Sequence, residues 1–192
     1  MTGNLRLIAV HDLRGSRSLS RLLCIASRVL NANTILLLGD TVSPGIIKWL
    51  VEECGIRVLG VLGRLDDASI AQSLKNYNGL LESRVVELEG YRVMGLGVIP
   101  IYPGRVKVDV LATYKPGVEY CSVYSDTVRR IIQEVKPLLV VAGSCVTPRV
   151  LENTVFPGSA WRGSYAFIEI YNHTYKVELK EFKTLIKSLL FK

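Results

Sequence analysis

Histidine is nearly absent from this chain. There are two, His11 and His173, and the four cysteines, Cys24, Cys54, Cys121 and Cys145, are scattered with no CxxC pair. A zinc centre built from cysteine and histidine is therefore not expected, and Cys24 and Cys54, on apolar helix faces, read as buried thiols. No apolar run approaches the ~20 residues that span a bilayer, and the first ten residues lack the layout of a signal peptide. These absences point to a soluble, cytoplasmic protein with no membrane partner. Linkers, low-complexity tracts and internal repeats are also missing, so residues 1–192 read as one domain. Only two glutamines and two methionines occur, a bias that suits a thermophile.

What is present is a large apolar fraction, 49% of residues, and a net charge of +7. The first excludes a disordered chain. The second permits a polyanionic partner, although a basic surface that is merely solvated is the favoured reading of charge alone.

Short apolar runs alternate with helical patterns. Leu5–Val10, Ile35–Leu38, Val58–Leu62, Val108–Ala112 and Leu138–Ala142 read as strands buried on both faces. Each ends in a polar loop, where open α/β sheets place their ligands. Helices are expected over Ser18–Leu30, capped by Ser18 or Ser20, over Pro44–Cys54 with proline in the first turn, over Ala68–Tyr77, and over Ser125–Val135 capped by Ser125. A hairpin joins Arg84–Leu88 to Tyr91–Gly97, and a Pro/Gly segment then runs to about Arg105. Short strands follow at Val150–Glu152, Thr154–Phe156, Ser164–Tyr171 and Tyr175–Leu179, and Glu181–Leu190 reads as a closing helix that could partly extend the last strand. The order predicts an α/β fold: a four-layer αββα sandwich of two mixed sheets with outer helices.

The strand-end loops, in order, carry Asp12-Leu13-Arg14, Gly39-Asp40, Gly63-Arg64-Leu65-Asp66, Thr113-Tyr114 and Gly143-Ser144-Cys145-Val146. The tail carries Pro157-Gly158-Ser159 and then Gly163-Ser164-Tyr165-Ala166. This series resembles the calcineurin-like metallophosphoesterase family over nearly the whole chain. That family has DxH after the first strand, GD after the second, GNH with an acidic residue after the third, then a lone histidine, GHxH and a Pro-Gly-Ser tail.

The resemblance implies a site for two divalent metals, yet most of its ligand positions differ here. Asp12 and Asp40 remain. The other ligands are replaced by Arg14, Arg64, Tyr114, Ser144 and Val146, and the general-acid histidine by Leu65. Asp66 matches the carboxylate that orients that histidine, with nothing left to orient. Arginine stays protonated and cannot ligate a metal, and two carboxylates alone are a poor binuclear site. The expected vestigial cluster is therefore Asp12, Arg14, Asp40, Arg64, Asp66, Tyr114 and Ser144, in which Arg14 and Arg64 supply the positive charge that two close carboxylates need.

Three functions follow. The leading one is a catalytically inactive member of the family that serves as a binding or scaffold subunit for a protein or nucleoprotein partner, with no cofactor. A second is a phosphate- or nucleic-acid-binding protein using Arg14, Arg17, Arg21 and Arg64 beside a helix N-terminus. A third is residual phosphoesterase activity with Mn²⁺ or Mg²⁺ at Asp12 and Asp40. Tyr114, Tyr120 and Tyr124 read as packing residues, and Trp161 as an exposed contact candidate.

Overall fold

In a computed structural model of the protein, residues 3–104 and 106–190 are described. The buried strands come from the continuous apolar runs. β1 (Leu5–Val10), β2 (Thr34–Leu38) and β3 (Arg57–Val61) run parallel in one sheet. Their side chains alternate: Leu5, Leu7, Ala9, Leu36, Leu38, Leu59 and Val61 face inward, while Ile8, Val10, Ile35, Leu37 and Val58 face outward to helices. Both faces are covered, which is why these strands carry no polar alternation.

The helices on the outer face are α1 (Arg17–Val29), α2 (Pro44–Glu52) and α3 (Ala68–Asn76). α1 begins one residue before the expected start, and its cap is Ser16, not Ser18 or Ser20. Ser16 is extended, and its hydroxyl accepts from Leu19 N–H. Ser20 lies inside the helix and donates back to the Arg17 carbonyl. Gly15, at φ +72°, turns the chain just before the cap, so Ser16 rather than a later serine meets the free N–H groups.

The hairpin β4 (Val85–Leu88) and β5 (Tyr91–Leu96) opens a second sheet. β6 (Val110–Thr113), β7 (Leu139–Ala142), β8 (Arg149–Leu151) and β9 (Thr154–Phe156) complete it in the order β4-β5-β6-β7-β9-β8. α4 (Asp126–Val135), capped by Ser125 as expected, packs Val128 and Ile131 against its outer face. The expected Pro/Gly segment reaches Arg105, which lies outside the described residues.

β10 (Ser164–Tyr171) and β11 (Thr174–Glu181) return to the first sheet, giving β11-β10-β1-β2-β3. The closing helix, α5 (Phe182–Leu190), starts where β11 ends. Phe182 stacks on Tyr165 with ring centroids 4.7 Å apart, which draws the helix onto the first sheet. Both sheets contribute inward side chains to one shared core. The expected α/β sandwich of two mixed sheets with outer helices is the fold.

The cysteines depart from expectation. Cys24 and Cys54 are not thiols: they form a disulfide joining α1 to the end of α2, and Cys121 pairs with Cys145. Their separations of 30 and 24 residues hide the pairing, because only packing of α1 beside α2, and of loop 114–125 beside the end of β7, brings the sulfurs together. Among the described residues, no helix is long and apolar enough to cross a membrane.

Candidate functional site

The carboxyl ends of β1, β2, β3, β6 and β7 meet at one edge of the sandwich. The loop after β1 is zipped to the loop after β2 by backbone hydrogen bonds from Asp12 N to Gly39 O (3.2 Å), Arg14 N to Asp40 O (3.1 Å) and Gly15 N to Thr41 O (2.9 Å). Gly39 and Gly63 allow the neighbouring loops to touch. A Cβ on Gly39, at φ +92°, would lie 2.6 Å from Gly63 Cα, and one on Gly63 would collide with the Asp40 backbone and carboxylate. Asp12 (φ +68°), Arg14 (+48°), Asp40 (+56°), Val42 (+69°) and Ser144 (+59°) are all left-handed. Such strain, most severe for β-branched Val42, persists only where the surroundings over-determine it.

Asp12 and Asp40 are both buried, and each has both carboxylate oxygens engaged. For Asp12, Oδ1 accepts from Arg14 Nε at 2.6 Å and Oδ2 from the Ser159 hydroxyl at 2.6 Å. For Asp40, Oδ1 accepts from Leu65 N–H at 2.9 Å. Its Oδ2 accepts from the Tyr114 hydroxyl at 3.2 Å and lies 3.3 Å from His11 Nε2. An ionised carboxylate only accepts, so Nε2 carries the proton. Burial pushes the Asp40 carboxyl up, but the bonds from His11, Leu65 and Tyr114 outweigh it and hold its pKa below the ordinary value. Burial and then the Asp40 charge push the Tyr114 phenol up. The hydrogen bond to Asp12 raises Arg14.

The expected cluster forms only in part. Arg14 meets Asp12, but the Arg64 side chain is exposed and makes no ion pair among the described residues. The ring partner for Asp40 is instead the Nε2–H of His11. The chain reverses direction at Gly63–Asp66, with Asp66 N bonded to Gly63 O, and this turn aims the Leu65 N–H inward at Asp40 while the Arg64 and Leu65 side chains face water.

Asp66 has work of its own: it accepts from Val42 N at 2.8 Å and Gly63 N at 2.7 Å, stapling the loop after β2 to the loop after β3. Ser144 does not reach the carboxylates, and its hydroxyl donates to the Tyr114 carbonyl at 2.8 Å. Arg17 and Arg21 line a separate groove of about 230 Å³ between α1 and α2, with Ser43 and Trp49.

His11 and Ser159 are site residues that the strand-end reading passes over. Both carry a signal: His11 precedes Asp12 and is one of two histidines, and Ser159 closes the Pro157-Gly158-Ser159 tail motif. His11 is buried and its Nδ1 has no partner among the described residues. Tyr114 is buried as expected, Tyr120 packs on Phe156, and Trp161 is exposed beneath the Arg14 guanidinium, 5.8 Å from the ring centroid.

These residues do not fit a pair of divalent cations. The Arg14 guanidinium lies 2.6 Å from Asp12 and would repel a cation there, and among the described residues no three His, Cys, Asp or Glu side chains converge in a metal-binding group.

No protein-family model matches the chain, and no curated protein matches it by sequence. Solved structures do match by shape. The protein TT1561 of Thermus thermophilus superposes with a TM-score of 0.73 at 14% identity, covering 94% of this chain and 100% of that one. A novel archaeal phosphodiesterase gives 0.63 at 14%, covering 92% and 100%. GAP50, the anchor in the inner membrane complex of Plasmodium, gives 0.64 at 12%, covering 94% and 85%. Its two mixed sheets and five helices superpose on phosphoesterases over nearly the whole length of the chain, which has a metallophosphoesterase-like fold.

Proposed function

We propose that this protein is a binding or scaffold subunit built on a phosphoesterase fold, with no binuclear metal centre and no hydrolytic activity. One observation carries the reading: every oxygen of Asp12 and Asp40, the two surviving ligand positions, already accepts a hydrogen bond from the protein itself. A metal would have to approach Asp12 against the charge of a guanidinium at 2.6 Å and compete with the donors that hold Asp40. In active two-metal enzymes the ions clamp a phosphoryl group and activate water, and here Leu65 stands where the resemblance expects the acid. GAP50 supplies a parallel, since that protein is an anchor on the same fold. The partner is a protein or nucleoprotein. We infer a cytoplasmic location together with a thermophilic source, the setting in which intracellular proteins keep disulfides such as these two.

A second reading has its own observation. The groove between α1 and α2 presents Arg17 and Arg21 beside Trp49, a set suited to an anion with an aromatic group. Affinity falling steeply with salt identifies that case.

The test is calorimetric titration of the protein with Mn²⁺ beside an Asp40→Asn variant. No heat of binding in either is expected. Tight binding that the variant loses means the site still takes metal, and the residual phosphoesterase reading replaces this one.

A further inference from the structure

Four apolar side chains stand in water around the mouth of the Asp12/Asp40 pair. Val42 is 43% exposed, Leu65 49%, Val146 55% and Trp161 55%. Each is fixed to the site through its backbone. Val42 N donates to Asp66 and Leu65 N to Asp40. The Val146 carbonyl accepts from Ser159 N, and Trp161 N donates to the Asp12 carbonyl. They are not loose loop residues but a presented set, held by backbone hydrogen bonds to the loops that carry the site's carboxylates. Apolar groups grouped in this way on an otherwise polar edge mark an interaction surface.

The charge around them has one dominant sign. Arg14, Arg64 and Arg162 are exposed at the same mouth, and Arg64 and Arg162 make no ion pair among the described residues. Asp12, Asp40 and Asp66 are all turned inward to protein donors. The exposed acid nearby, Asp67, spends an oxygen capping α3 on Ser69 N–H and hydroxyl. On β11, by contrast, Lys176 and Lys180 are both paired to Glu178.

We propose that this face docks an acidic segment of a partner protein, one carrying apolar side chains between its carboxylates. The apolar part packs on Leu65, Val146 and Trp161, and the carboxylates pair with Arg14, Arg64 and Arg162. The inference rests on the binding-subunit reading and names its partner's chemistry. A protein fits better than nucleic acid because Trp161 is the one aromatic among the four apolar residues, whereas bases need a run of aromatic platforms. Tryptophan and arginine are also the residue types that dominate binding at protein interfaces.

A randomised short-peptide library selected on the full chain tests this without assuming a sequence. Enriched peptides should combine Asp or Glu with Leu, Ile, Val or Phe. They should bind Leu65→Ser and Trp161→Ala at least ~10-fold more weakly than the native chain, lose affinity as salt rises, and bind Ile186→Ser, an exposed change on α5, as tightly as the native chain. The proposal is overturned if nothing is enriched, if enriched peptides are basic or wholly polar, or if Leu65→Ser and Trp161→Ala leave binding intact. It is also overturned if a single-stranded oligonucleotide binds the native chain and loses that binding in Leu65→Ser. Selections run in parallel with Mn²⁺ and with a chelator keep the two readings apart. Metal binding by calorimetry together with enrichment of acidic-apolar peptides in both would remove the metal-free reading and leave the docking surface standing.

Discussion

The two halves of the site are built on opposite principles. The half contributed by the first sheet keeps its carboxylates, and Asp12 and Asp40 have become buried acceptors around which Arg14, Ser159, His11, Leu65 and Tyr114 are arranged. The half contributed by the second sheet has no acid or imidazole. Tyr114 and Ser144 are joined through one hydroxyl-to-carbonyl bond, and Cys145, next to Ser144, is tied by a disulfide to Cys121. The first half is held by a polar network, the second by a covalent staple. Close buried carboxylates repel, so Asp12 and Asp40 need the donors gathered around them, whereas Tyr114 and Ser144 bring no carboxylate that would need any.

Asp40→Ala gives the sharpest break. It strands the His11 N–H, the Leu65 N–H and the Tyr114 hydroxyl in the interior, and should cost about 3 kcal/mol in denaturant unfolding. A ligand site kept for metal chemistry behaves the other way, since removing one of two repelling carboxylates stabilises a fold. A stable Asp40→Ala protein would therefore contradict the account of the first half. The staple in the second half should matter comparably. Replacing both Cys121 and Cys145 by serine frees a closed segment of 24 residues, and the loss expected is about 2–3 kcal/mol. Hydrogen exchange should show the opening confined to residues 114–125 and 143–148. If protection instead falls around Asp12 and Asp40, the halves are one network and the contrast is wrong.

The layers of the sandwich are readable from the sequence because buried strands need uninterrupted apolar runs and helices need a 3.6-residue stripe, and both patterns are local. Asp12 and Asp40 are readable because each ends a strand. The Cys24–Cys54 and Cys121–Cys145 bonds and the Asp40–His11 contact are not, because nothing local says which distant loops touch. Arg64 shows the limit most clearly. Its position beside the site is legible, but whether its guanidinium turns to the carboxylates or to water depends on the turn at Gly63–Asp66. Asp66 reads as idle because its expected histidine is missing, while its structure-holding bonds to Val42 and Gly63 depend on loop packing.

The smallest effect probes the seam between the halves. Glu82 lies just before β4 and reaches back to accept from Leu62 N–H at 2.9 Å, at the end of β3. Burial raises its carboxyl above the ordinary value despite that bond, with Asp66 adding repulsion. Asp40 is also buried, yet its pKa is lowered. The difference is the number of donors: three groups serve Asp40, and Leu62 is the one donor to Glu82 among the described residues. The pH dependences must then have opposite signs. Asp40's contribution is present above about pH 4 and is lost as pH falls through its lowered folded pKa. Glu82's is present below its unfolded pKa and is lost as pH rises through its raised folded pKa. Glu82→Gln keeps an oxygen for Leu62 and removes the charge, so at neutral pH it should stabilise the protein by a few tenths of a kcal/mol. The variant should also abolish the decline in stability just above pH 4.5, the starting value for this group. A destabilising Glu82→Gln would mean that its charge, like that of Asp40, is held by donors rather than tolerated, and that the polar network of the first half extends across the seam.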